Sequence, residues 1–156
     1  MITRQNIFLF FFCAPSLSLA QPATLEPLLE WSKSRPNWSK DATEYAYLGT
    51  RCGSLYSPIG SVFLEYAKNT KEKETGEDLR NRGRQLSLFG HQMAIDQGWS
   101  TENSMERYKA ITEIYFKTIS SNRVVHNNMF HGFIKDDFQF CVDFEKAVRA
   151  AANTIR

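Results

Sequence analysis

Cysteine, proline and glycine are scarce in this chain of 156 residues, at three, five and eight. So few cysteines exclude a disulfide-dense miniature scaffold, and so little proline and glycine excludes collagen and low-complexity sequence. No segment recurs with a period of roughly 20 to 50 residues, which removes solenoids and propellers. An excess of one charge is also missing, since 19 Lys+Arg face 17 Asp+Glu. Phosphate backbones are held by a summed cationic field, so a nucleic-acid partner is not expected. The densest cationic cluster, Arg80, Arg82 and Arg84, is flanked by Glu74, Glu77 and Asp78 and reads as a solvated helix face.

Hydrophobic residues make up 42% of the chain, but a long uninterrupted apolar run is found only near the start. Met1 to Ala20 reads MITRQNIFLFFFCAPSLSLA. A head carrying Arg4 is followed by an apolar core from Ile7 to Ala14, then Pro15 and small residues ending at Ser18-Leu19-Ala20. This is the pattern of a secretory signal peptide with cleavage after Ala20. A spanning helix needs about 20 apolar residues, and this run ends at Pro15. Phe10 to Phe12 lack the small side chains that precede a lipidated cysteine, so Cys13 is not a lipid anchor. The expected product is residues 21–156, a single exported domain, periplasmic or secreted, with no stable membrane anchor after cleavage.

Loss of Cys13 with the leader leaves Cys52 and Cys141, which should pair in an oxidising compartment. They are 89 positions apart, and closing so long a loop in the unfolded chain stabilises the fold by about 4–5 kcal/mol on the entropy model. No C-x-x-C or C-x-x-C-H motif surrounds either one, and no cofactor is expected.

Beyond the leader the apolar period is helical throughout, with no alternating strand pattern. Pro22, Pro27 and Pro36 restrict the first stretch to a short helix, capped by Thr24. Asn37-Trp38-Ser39 is a glycosylation sequon that matters only in a host that glycosylates exported proteins. Asp41 with Glu44 forms a capping box. From there to Asn69, Tyr45, Leu48, Cys52, Leu55, Ile59, Val62 and Tyr66 form one stripe. Gly49, Gly53 and Gly60 suggest close approach of a neighbour, and Pro58 predicts a kink or a divided helix around Gly53 to Ser57.

Gly76 reads as a turn, with the second long helix starting at Thr75 or Gly76 and ending before Gly98. Ser100 or Thr101 caps a third, striped by Met105, Tyr108, Ile111, Tyr115 and Ile119. Asn122 to Asp137 breaks the period and reads as a connection. A last helix follows, capped by Asp136 or Asp137. The expected fold is all-α: an antiparallel bundle of about four long helices plus a short N-terminal helix, with one disulfide.

Chemistry is harder to find. His126, His131 and Asp136 are the candidate metal ligands, serving a metal-binding protein or a metal-dependent hydrolase. Residues five apart on a helix point about 140° away from each other, so both histidines could share an ion only if the chain bends between them. His91, with Asp96 and Ser87 or Ser100 nearby, lacks the surroundings of an activated nucleophile. Tyr45, Arg51, Tyr56 and Gly60 combine aromatics, a charge and a glycine near Pro58, and form the candidate interaction patch. The leading expectation is a binding, accessory or inhibitor module without catalysis, with a protein partner. A carrier of an apolar ligand, held between the first and last long helices, is the further alternative.

Protein taken from its own exported fraction should begin at Gln21. It should also be lighter than the reduced chain by the hydrogens that a disulfide removes. Intact-mass spectrometry checks both, and a retained leader or free thiols at Cys52 and Cys141 would refute the corresponding reading.

Overall fold

A computed structural model describes residues 25–154. The expected leader, Cys13, the cleavage site, the Thr24 cap, Ile155 and Arg156 lie outside them. The described chain contains a short helix α1 (Leu28–Ser34), a single 3-10 turn (Trp38–Lys40), and four long helices. These are α2 (Ala42–Tyr66), α3 (Thr70–Asp96), α4 (Thr101–His126) and α5 (Phe133–Thr154). The architecture is an all-α bundle with the Cys52–Cys141 disulfide in place.

Local signals set most helix starts. Asp41 accepts from the amides of Thr43 and Glu44, Asn69 from that of Glu72, and Ser100 from that of Asn103, each satisfying a donor that a first helical turn leaves unpaired. Glu72 reaches back to the Lys68 amide at 2.7 Å. The second long helix therefore begins at Thr70, not at Thr75 or Gly76. Gly98, at φ +86°, ends it in the left-handed conformation that glycine adopts without strain.

Helix α2 is the axis of the molecule. Twelve of the fourteen residues from Ala46 to Ile59 are buried, Tyr47 and Ser57 being the exceptions, so this helix is enclosed rather than striped. Pro58 lies inside it without dividing it. Packing around α2 offsets the lost backbone donor, a defect costing about 3 kcal/mol in an exposed helix.

α3 runs antiparallel to α2 with the two backbones nearly touching. A Cβ on Gly49 would stand 2.8 Å from the Gly90 Cα, and one on Gly60 would stand 2.7 Å from the Gly76 carbonyl oxygen. Gly76, expected in a turn, is thus a buried mid-helix residue that makes room for α2. α4 returns alongside α2, where Ser54 donates to the Tyr108 carbonyl, and continues to His126, past the expected break at Asn122. α5 lies in the angle between α3 and α4, against one side of α2. Phe144 meets Tyr45 and Phe89, Phe138 meets Tyr56, and Phe133 meets Tyr115.

A methyl at Gly90 would sit 2.4 Å from the Thr50 amide nitrogen and 2.7 Å from the Ala46 carbonyl oxygen, and neither backbone atom can swing aside. Alanine improves helix propensity by about 1 kcal/mol over glycine, whereas overpacking costs about 1–3 kcal/mol. Gly90→Ala should therefore lower the denaturation midpoint. A raised midpoint would show that α2 and α3 do not depend on backbone contact.

Candidate functional site

Arg51 is fully buried on α2. Its guanidinium donates to Tyr115 Oη at 2.8 Å, Tyr47 Oη at 2.7 Å, Asp137 Oδ2 at 2.8 Å and the Glu26 carbonyl. Asp137, also fully buried, accepts in addition from the Tyr115 hydroxyl and from the Leu28 amide, the latter at 2.6 Å. Burial opposes the charge on Arg51, but Tyr115, Asp137 and Tyr47 outweigh it and hold the guanidinium protonated. Burial also lifts the Tyr115 hydroxyl well above the ordinary tyrosine range, so it stays a neutral donor to Asp137. Among the described residues no buried side-chain nitrogen or oxygen lacks a hydrogen-bond partner.

This cluster corrects two expectations. Asp137 does not cap α5; it sits inside the helix and faces the core. Nor do Tyr45, Arg51, Tyr56 and Gly60 form an exposed patch. Arg51 and Tyr56 have no accessible surface, Gly60 lies against α3, and Tyr45 is partly buried against Trp38 and Phe144.

A second, partly buried cluster joins α3 to α5. Arg82 bonds Glu145 through Nε and Nη2, and its guanidinium lies 4.9 Å from the Tyr56 ring centre. Burial would push the Glu145 carboxyl up, but hydrogen bonds from Arg82 and Arg149 outweigh that and hold it below the usual range. Burial raises the Tyr56 hydroxyl well above the ordinary tyrosine range, against the pull of Arg82. Arg82 is therefore not part of a solvated face.

Open surface chemistry gathers on the side of α2 away from α5. There α3 and α4 diverge from their tight connection and leave a cleft of about 750 Å³. Thr50, Ser57 and Ser61 form its floor. Arg80, Arg84 and Leu88 stand on the α3 wall, and Met105 and Tyr108 on the α4 wall. His91 Nδ1 and Ser104 Oγ close the apex at 2.8 Å. The hydroxyls of Thr50, Ser57, Ser61 and Ser87 donate to carbonyls one turn back on their own helices, at 2.9–3.0 Å. They consequently offer acceptor lone pairs, not free donors, to whatever enters. Leu88 is 57% and Met105 42% exposed, one on the α3 wall and the other on the α4 wall of the opening.

The sequence did not single out this cleft. Its α3 wall was legible as a second stripe, Arg80, Arg84, Leu88 and His91, offset from the core stripe of Leu79, Leu86 and Phe89. Met105, expected in the core, is on the lip. His91 meets Ser104 rather than Ser87 or Ser100. Among the described residues no carboxylate pairs with His91, and Ser104 is buried, so the pair lacks the orienting acid and the accessible oxygen of an activated nucleophile.

At the far end of α4, Asn127 at φ 50° turns the chain, and His126 and His131 come together as the sequence required for a shared ion. Their rings stack, however, at 3.7 Å between centroids and 22° between planes. In-plane lone pairs on stacked rings run side by side and do not converge on one ion. No group of three or more metal-ligating side chains occurs among the described residues, and Asp136 does not complete one. A further surface cluster sets Arg107 between the rings of Tyr47 and Trp99, 4.9 and 4.7 Å from their centres.

No protein family, curated protein or solved structure matches this chain.

Asp137→Ala would strand the Arg51 charge in the core and should cost about 3–5 kcal/mol. Replacing both partners by apolar residues, Arg51→Met with Asp137→Leu, removes the stranded charge but leaves the Tyr115 hydroxyl and the Leu28 amide without their acceptor, so it should recover only part of that loss. Urea unfolding with the disulfide intact measures both, and an Asp137→Ala variant as stable as the parent would refute the assigned role.

Proposed function

We propose that the protein is an exported binding module, without catalysis of its own, that receives a protein partner in the cleft between α3 and α4. The carrying observation is the cleft itself: α2 is covered on its other sides by α1, α3, α4 and α5, and its hydroxyl-lined side opens between two exposed apolar side chains. Export is supported by the leader pattern and by the Cys52–Cys141 bond, which suits an oxidising compartment. The pairing of rigid walls with Leu88 and Met105 at the mouth suits a partner that inserts side chains between helices.

The alternatives draw less support. The α2–α5 interface, where an apolar ligand would have to enter, is filled by the disulfide and by the rings of Tyr45, Tyr56, Phe138 and Phe144. A metal at His126 and His131 would first have to unstack them.

A photo-crosslinking amino acid placed at Leu88 or Met105 in the native host tests the reading. Both positions should yield a covalent adduct with one polypeptide, whereas the same probe at Leu29, exposed on α1, should not. Absence of a cleft-specific adduct, or an equal adduct from Leu29, would overturn it.

A further inference from the structure

The partner's chemistry is written on the α3 wall. Three arginines fall at alternate positions of one stretch, and the fold treats them differently. Arg82 turns toward α5 and is matched by Glu145 and Asp78. Arg80 and Arg84, one helical turn apart, are exposed and have no ion-pair partner among the described residues, and both line the cleft. Glu77 is the only carboxylate in the lining, so an otherwise charge-balanced protein presents a cationic wall here. Contrast Arg107, whose charge already rests between two aromatic rings.

α5 shows what an occupant of such a groove looks like. It lies in the angle between α3 and α4 on the opposite side of α2. It inserts the aromatic side chains Phe138 and Phe144 and presents a carboxylate, Glu145, to the arginine on α3. The open cleft has the same parts: two helical walls, small residues on the α2 floor that permit close approach, and arginines on α3. From Glu77 to His91 the α3 wall runs about 21 Å, the length of roughly 14 helical residues.

We propose that the cleft binds an acidic amphipathic helix of the partner protein, with carboxylates on Arg80 and Arg84 and an apolar side chain between Leu88 and Met105. This rests on the cleft being the binding site. An acyl chain with an acidic head would also find arginines here, but along the floor it would strip water from the hydroxyl oxygens without replacing their hydrogen bonds.

The test is selection from a displayed library of helix-forming peptides of roughly 14 residues, using the oxidised full chain as bait. Calorimetry of the most enriched peptide follows, against the parent, Arg80→Glu with Arg84→Glu, and Ser61→Trp, which fills the floor without altering charge. All three replaced residues are exposed, and unchanged unfolding midpoints verify that the variants fold. Enriched peptides should carry paired Asp or Glu beside an apolar position, bind more weakly as salt rises, and lose about tenfold or more in affinity to each variant.

Neutral or basic peptides, or undiminished binding by the arginine variant, would overturn the acidic-helix assignment. If Ser61→Trp still abolished binding, the cleft would stand as the site. If neither variant mattered, both readings would fall. No enrichment at all, or displacement of the peptide by oleate bound more tightly at the same arginines, would also overturn the assignment, the latter in favour of an anionic lipid.

Discussion

Within one turn of α2, Arg51 and Cys52 fix the same two helices by different physics. The cysteine bonds covalently to Cys141, and the arginine pairs with Asp137, one turn earlier on α5. A disulfide limits separation but leaves rotation about its own bonds, whereas a guanidinium held by four acceptors fixes the direction from which each partner arrives. Those acceptors come from the segment before α1, from α2, from α4 and from α5. One buried charge thereby specifies the relative placement of nearly every element except α3. A buried ion pair is weak evidence of net stability. Its contribution here is to orientation, because any packing that breaks the set leaves a charge stranded in the core.

α3 is fixed by another constraint. Its seam with α2 is backbone against backbone at Gly49, Gly53, Gly60, Gly76, Gly83 and Gly90, so the spacing of the two helices has almost no slack. Close approach on that side brings Arg82 within reach of Glu145 on α5 and leaves Arg80 and Arg84 pointing the other way. The cationic wall of the cleft is therefore a consequence of the glycine seam. Widening the seam would move the wall as well as weaken the core.

What could be read from the sequence follows the range of the forces involved. The caps at Asp41 and Ser100, the left-handed Gly98 and the helical period each express contacts within a few residues, and each is where the sequence placed it. The disulfide was legible because elimination left two cysteines. Gly76 looked like a turn because the reason for it, the Gly60 carbonyl on another helix, is invisible locally. Asp137 looked like a cap for the same reason: its partner Arg51 lies 86 positions away. The four residues of the expected patch were noticed for a real property, an unusual density of glycine, charge and aromatic side chains. That density marks a crowded interior as readily as a surface, and here it marked the interior.

The cleft escaped notice because no single residue in it is unusual. Serines on a central helix read as poor core, and exposed arginines read as solubility. Only the placement of α3 and α4 on either side of α2 makes them one surface. That placement depends on the Arg51 cluster, none of whose residues lines the cleft, and on the glycine seam beneath it, where Gly53, Gly60, Gly83 and Gly90 abut the lining residues Ser87, Arg80, Ser57 and Thr50. Since those ties hold the three helices apart at a fixed angle, the opening is preformed, and a partner would not have to separate packed helices to enter. Preformed walls reduce the ordering cost that association must overcome, so specificity can rest on a few contacts at Arg80, Arg84, Leu88 and Met105.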